Sequence, residues 1–254
     1  MKQLKKLQTL IALTLILTLS IPSLVQAKSG EEIQAFKKFL QKERQKYCFG
    51  NRLDDGENCE LKVWYSFADI DGDGRKELII SETNSVRYTC CYIYKYRNKK
   101  VEKFGVYSSN KSSDKSFYNK KYNCVEDFST AKGSYKKVYD IWGRPIYRIK
   151  GKKDLIFAAF MPGCGMSVQY IYYQNSSSNL YKKYSTSLNV WENREAYGEP
   201  HEDWMGWNIQ DSYLYKNRNL KGKLIEIKYS EEKHLISVVR DYETGNIIVN
   251  TKGY

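Results

Sequence analysis

Between Ser29 and Tyr47 the apolar residues recur at helical spacing. Ile33, Phe36, Leu40 and Tyr47 form one stripe with Phe39 beside it, and the other positions are mostly Lys, Glu, Arg and Gln. This period predicts one amphipathic helix over 29–47, with Ser29 and Glu32 spaced as a capping box at its start. Beyond Cys59 the period changes. "LKVWYSFADI", "KELIIS", "CYIYKY", "VEKFGVY", "KKVYDIW", "PIYRI", "DLIFAAF", "VQYIYYQ", "KLIEIKY" and "HLISVVRDY" are strand-length runs rich in Val, Ile, Tyr and Phe. Turn-forming clusters such as "RNKK", "GKK" and "QNSSSN" separate them. The pattern predicts a mainly β, antiparallel body behind a single N-terminal α-helix. Two stretches lack the signal: 107–120 reads as an exposed loop, and 192–211 as an irregular or partly helical connection.

The strand pattern also repeats itself. "GRKELIIS" from Gly74 is echoed by "GKKDLIFA" from Gly151, and "YIYKYRN" from Tyr92 by "YIYYQN" from Tyr170. The two matches are nearly in register, which predicts one strand–loop–strand and hairpin unit used twice, over 64–98 and 150–175. The copies differ in the loop before the first strand: "DIDGDG" in the first, "YRIKG" in the second.

Composition sets the compartment and the class of partner. Residues 1–27 combine Lys2, Lys5 and Lys6 with the apolar "LIALTLILTL" and end in "VQA". They read as a secretory signal peptide cut after Ala27, leaving one β-rich domain over 28–254 and no stable membrane anchor. The chain carries a net charge of +13, of which +10 falls beyond Ala27. A secreted or periplasmic basic protein suits a protein partner or an anionic cell-envelope polymer. No nucleic-acid-binding motif is present, so nucleic acid is not an expected partner. The six cysteines, Cys48, Cys59, Cys90, Cys91, Cys124 and Cys164, are an even number in an exported chain and predict disulfides. The polar loop between Cys48 and Cys59 makes those two a plausible pair; on a strand, Cys90 and Cys91 point to opposite faces and take different partners.

One cluster carries chemistry. "ADIDGDGRKELII" holds Asp69, Asp71, Asp73 and Glu77 within nine positions, and from Leu53 to Glu77 eight acids face three bases. Two carboxylates about 4 Å apart repel by about 1 kcal/mol in water, and more when buried. A hard cation removes that penalty. Calcium takes six to eight oxygens, and carboxylates at alternate loop positions can converge on one ion. Asp69, Asp71, Asp73, the Arg75 carbonyl and Glu77 are the predicted ligands. Gly74 supplies the sharp turn, because positive φ is cheap for glycine. The alternative is a Gly-Asp turn neutralised by nearby lysines. The spacing begins like an EF-hand but ends differently, with Ile80 at the twelfth position and strand-like flanks. The pattern DxDGDGxxEL resembles the calcium loops of FG-GAP and VCBS-type repeats, which join two β-strands. That resemblance implies a structural Ca2+ ion, with affinity expected at about 10⁻⁴–10⁻³ M for an extracellular module.

The other chemistry-bearing stretch is "HEDWMGW", where His201, Trp204 and Trp207 are candidate ligand-binding residues, as a sugar-stacking platform or as core tryptophans on a surface turn. No HExxH, nucleophile elbow or phosphate loop is present, and no catalytic residue can be named. The expected function is a calcium-binding, non-catalytic binding protein. The alternatives are an inhibitor or immunity protein similar to periplasmic lysozyme inhibitors, and a glycan-acting hydrolase with 192–211 along its cleft.

Overall fold

A computed structural model of the chain describes residues 30–46, 60–84, 89–122, 124–138, 141–161, 167–189, 207–240, 244 and 246–250. Residues 30–46 form helix α1; Ser29 and Tyr47, and with them the predicted capping pair, lie partly outside the described residues. The rest is mainly antiparallel β, as the hydrophobic pattern predicts.

Strands β1 (Glu60–Ala68), β2 (Glu77–Asn84), β3 (Thr89–Arg97) and β4 (Lys100–Lys103) run as an up-and-down meander. Beyond β1 the sheet continues through β13 (Lys233–Arg240) and β14 (Ile247–Asn250), and the short β7 (Ile141–Trp142) pairs with β3. The second sheet contains a matching meander of β8 (Ile146–Ile149), β9 (Leu155–Met161), β10 (Ser167–Ser176) and β11 (Asn179–Asn189). Strand β12 (Leu224–Glu226) extends it on the β8 side. On the β11 side lies the hairpin of β5 (Gly105–Asn119) and β6 (Cys124–Val138), and the short β11–β5 ladder is parallel. The echoing segments fall on corresponding strands, β2 with β9 and β3 with β10. Each meander turns between its third and fourth strands through two residues of positive φ: Asn98 and Lys99 in one, Ser177 and Ser178 in the other. That backbone matches the right-handed twist of the flanking strands.

The two sheets face each other across a core of Ile79, Ile93, Leu155, Phe157, Ile171 and Leu180. Each sheet is also covered on its outer face. On the first, Phe36 and Leu40 of α1 pack over Leu61, Leu78, Ile80 and Ile236. On the second, Trp207, Ile209, Leu214 and Leu220 pack over Ile156, Ala158 and Leu188. The covering segment contains a 3-10 turn, Ile209–Asp211, and the five-residue helix α2 (Tyr213–Asn217), whose N-cap Ser212 accepts from the Tyr215 N–H. Strands β2 and β9 are thus buried on both faces, which accounts for the unbroken apolar runs "LII" and "LIFAA".

Two expectations are corrected. Residues 107–120 are not a loop but most of β5, a fifteen-residue strand. Its polar residues hide the alternation, because they are held by cross-strand bonds rather than by a core: Ser116 Oγ donates to Asp127 and Ser129 Oγ donates to Asp114. Nor are Cys91 and Cys124 in disulfides. Among the described residues no two cysteines are bridged; Cys91 is a buried thiol in the intersheet core and Cys124 one beside Phe128. Burial, and then the nearby Glu126, push the Cys124 thiol up to about 12. Cys90 and Cys91 do face opposite sides of β3, while Cys48, Cys59 and Cys164 lie outside the described residues.

Phe157 is fully buried at the centre of the intersheet core. Replacing it with alanine is expected to cost about 3–5 kcal/mol in urea denaturation, while Ile225→Ala, at an exposed position, changes stability by less than about 0.5 kcal/mol.

Candidate metal centre

Ala68, the last residue of β1, pairs with Glu77, the first of β2, so residues 69–76 close a hairpin. Alternate aspartates fold this loop by accepting bonds from backbone amides a few residues on. Asp69 Oδ1 accepts from Gly72 N at 2.6 Å and its Oδ2 from Gly74 N at 3.3 Å. Asp71 Oδ1 accepts from Asp73 N at 3.1 Å, and Asp73 Oδ1 from Arg75 N at 2.9 Å. Gly72 and Gly74 both have positive φ, +75° and +83°, as the tight turn requires. Ile70 is fully buried in the intersheet core and anchors the loop, and its N–H donates to Glu77 Oε2 at 2.8 Å.

The side chains of Asp69, Asp71 and Glu77 each offer an oxygen within 4.8 Å of the others, a triad able to hold a metal ion. Asp73 stands outside that triad, and the Arg75 side chain is exposed beside it. Cationic side chains reach in as well. Lys95 of β3 places its Nζ 2.7 Å from Asp71 Oδ2, 2.6 Å from Asp73 Oδ2 and 3.5 Å from Glu77 Oε1. From the second meander, Lys153 Nζ lies 3.6 Å from Asp71 Oδ2, and Arg148 lies 3.6 Å from Asp69 Oδ1 while donating to the Asp69 carbonyl. The acidic loop of the first meander therefore sits against the basic 148–153 segment of the second. Pattern reading of the acidic loop alone missed Lys95, Lys153 and Arg148; the charge difference between the two echoing loops could have pointed to Arg148 and Lys153, and nothing in the loop pointed to Lys95.

The neutralisation is incomplete at Glu77. Its side chain is fully buried, and Oε1 makes no hydrogen bond. Burial, and next the charge of Asp71, push its carboxyl up to about 8. For Lys95 burial works downward, but the hydrogen bonds to Asp71 and Asp73 outweigh it and raise the ammonium above its ordinary value. For Asp73 burial works upward, and the hydrogen bonds that it accepts from Lys95 and from the Arg75 amide overcome it, holding the carboxyl below its usual range. Asn175 lines a depression of about 320 Å³ together with Asp71, Asp73 and Lys95, and its side-chain oxygen and nitrogen are both buried and without hydrogen bonds. The first turn of α1 closes the other side: Glu32, raised by burial and countered by Arg75, accepts the backbone N–H of Lys76.

The second candidate site does not assemble in this way. Trp207 is a core residue, packed at 5.1 Å from the Tyr170 ring, and Tyr170 Oη donates to its carbonyl. It cannot serve as an exposed stacking platform. His201 and Trp204 lie outside the described residues.

Fold and site together define a two-sheet antiparallel β protein with an acidic strand–loop–strand centre. Protein-family models, curated proteins and solved structures were all compared with the chain, and none matches it. No described helix is long and apolar enough to cross a membrane.

The raised Glu77 carboxyl has a signed consequence. The folded state holds this proton more tightly than the unfolded chain, so without metal the group's contribution to stability falls as pH rises from about 4.5 to about 8. Melting curves in chelator across that range are expected to decline more steeply for the wild type than for Glu77→Gln. Parallel declines would remove the buried carboxylate as the cause.

Proposed function

We propose that this chain is an exported, non-catalytic binding protein whose first meander is clamped by one calcium ion between β1 and β2. The observation that carries the reading is Glu77 Oε1, a carboxylate oxygen fully buried beside Asp69 and Asp71 and left without a hydrogen bond. An all-oxygen donor set on a tight loop is the chemistry of a hard cation rather than of zinc or copper. Asp69, Asp71 and Glu77 would supply anionic oxygens, with Asp73 and the Asn175 amide oxygen in the depression that Asp71 lines. Lys95 would act as the internal counter-ion that calcium competes with. The ion's work would be mechanical: it would join the end of β1 to the start of β2 beside the first turn of α1. The partner class remains a protein or an anionic envelope polymer, as charge and export signal suggest.

Thermal melts with about 10 mM calcium and with chelator test the clamp. At an affinity of about 10⁻⁴–10⁻³ M the ion adds about 1.4–2.7 kcal/mol, which raises the midpoint by about 3–10 °C for a domain of this size. Asp71→Ala is expected to abolish the shift. Identical wild-type melts in calcium and chelator would refute the proposal.

A further inference from the structure

A cleft lies on the outer face of the second sheet. Strand β11 bonds to β5 through Asn179–Tyr181 and to β6 through Tyr184–Leu188. Where it passes from one to the other, a cleft of about 490 Å³ opens, within the range of about 300–1,000 Å³ typical of small-ligand sites. Along its other edge β11 slips register: Tyr184 faces Tyr172 but Lys182 faces Tyr173, so Lys183 is the extra residue of a β-bulge. Bulges re-aim side chains near functional sites, and Lys183 here lines the cleft. Its ammonium donates to Tyr135 Oη at 2.9 Å and lies 4.5 Å over that ring. Opposite, the Arg218 guanidinium lies 4.4 Å over the Tyr184 ring. Lys132 and Lys152 complete the cationic lining.

None of these four cations reaches a carboxylate among the described residues. The one acid in the wall, Asp154, accepts from Tyr172 Oη at 2.6 Å and from Asn175 N at 3.3 Å. Four gathered positive charges repel as the acidic loop's negative ones do, and an anion relieves them. A guanidinium held flat on a ring keeps its N–H edge free for a two-point bond to a carboxylate or phosphate. The Tyr135 and Tyr184 rings brace those two cations, and Gln174, Thr130 and the Tyr135 hydroxyl offer neutral groups to the hydroxyls of a sugar.

We propose that this cleft binds an acidic saccharide, with Arg218 and Lys183 taking the acid group and Gln174, Thr130 and the Tyr135 hydroxyl meeting its hydroxyls. The inference deepens the binding half of the proposed function and does not rest on the calcium clamp. The two sites meet along the 150–154 segment, where Lys153 faces the acidic loop while Lys152 and Asp154 face the cleft, and at the end of β10, where Asn175 lines the acidic depression and Gln174 the cleft.

Calorimetric titration at low ionic strength tests it, using trigalacturonate, glucose 6-phosphate, neutral maltotriose and inorganic phosphate. An acidic sugar is expected to bind with a Kd below about 1 mM, and maltotriose is not. The first two probes decide whether carboxylate or phosphate is the preferred acid group. Arg218→Gln and Lys183→Met, each confirmed as folded by circular dichroism, are expected to weaken binding at least about tenfold. Both variants should keep the wild-type response to calcium in thermal melts, so failure here leaves the clamp standing and failure of the clamp leaves this site standing. Three results would overturn the assignment: no binding of either acidic sugar, undiminished binding by both variants, or inorganic phosphate binding as tightly as the sugars.

Discussion

Carboxylates cannot be gathered around a buried point without a cation among them, and the first meander is organised around that requirement. Asp69, Asp71 and Glu77 bring oxygens within 4.8 Å of one another, a spacing at which two charged carboxylates repel by about 3.5 kcal/mol where the effective dielectric constant is near 20. The fold does not avoid the cluster; it builds on it. Ile70 inserts into the intersheet core between two of the acids, and its amide binds the third. Because Glu77 is also the first residue of β2 and pairs with the end of β1, charge balance in the loop acts directly on the hairpin that α1 covers. Lys95 supplies part of the balance. The Glu77 oxygen that it leaves without a hydrogen bond is where a divalent ion would supply the rest.

The two meanders place this centre through their similarity and serve it through their difference. Equivalent strands, β2 and β9, form the middle of each sheet and face each other through Ile79, Leu155 and Phe157. The loops that precede them meet as well, with opposite charge: aspartates in the first, Arg148 and Lys153 in the second. The 150–154 segment then carries charge to both proposed sites, with Lys153 toward the acids and Lys152 toward the tyrosine-walled cleft.

Legibility in the sequence followed burial. Helix α1 and the strands with apolar runs, β1 to β3 and β8 to β10, could be read because one or both faces enter a core. Strands β5, β6 and β11 could not. Ser, Lys and Asp line much of their length, and what holds them is backbone pairing and hydroxyl–carboxylate bonds that leave no hydrophobic period. The acidic loop was legible because alternate aspartates and two glycines leave few other conformations open to it. Its neighbours were not: Lys95 lies 18 positions beyond Glu77, and only the β2–β3 register brings it to the acids. Trp207, for which the sequence left a stacking platform and a core position open, is buried rather than displayed.

The central claim is that the acidic loop takes an external dication in competition with Lys95. The most direct measurement is an equilibrium calcium titration of Lys95→Met beside the wild type. With its internal competitor removed, the variant is expected to bind calcium more tightly while melting earlier in chelator. A variant that loses stability yet takes up no calcium, beside a wild type that takes up none, would mean that lysine alone is the cation this loop was built for.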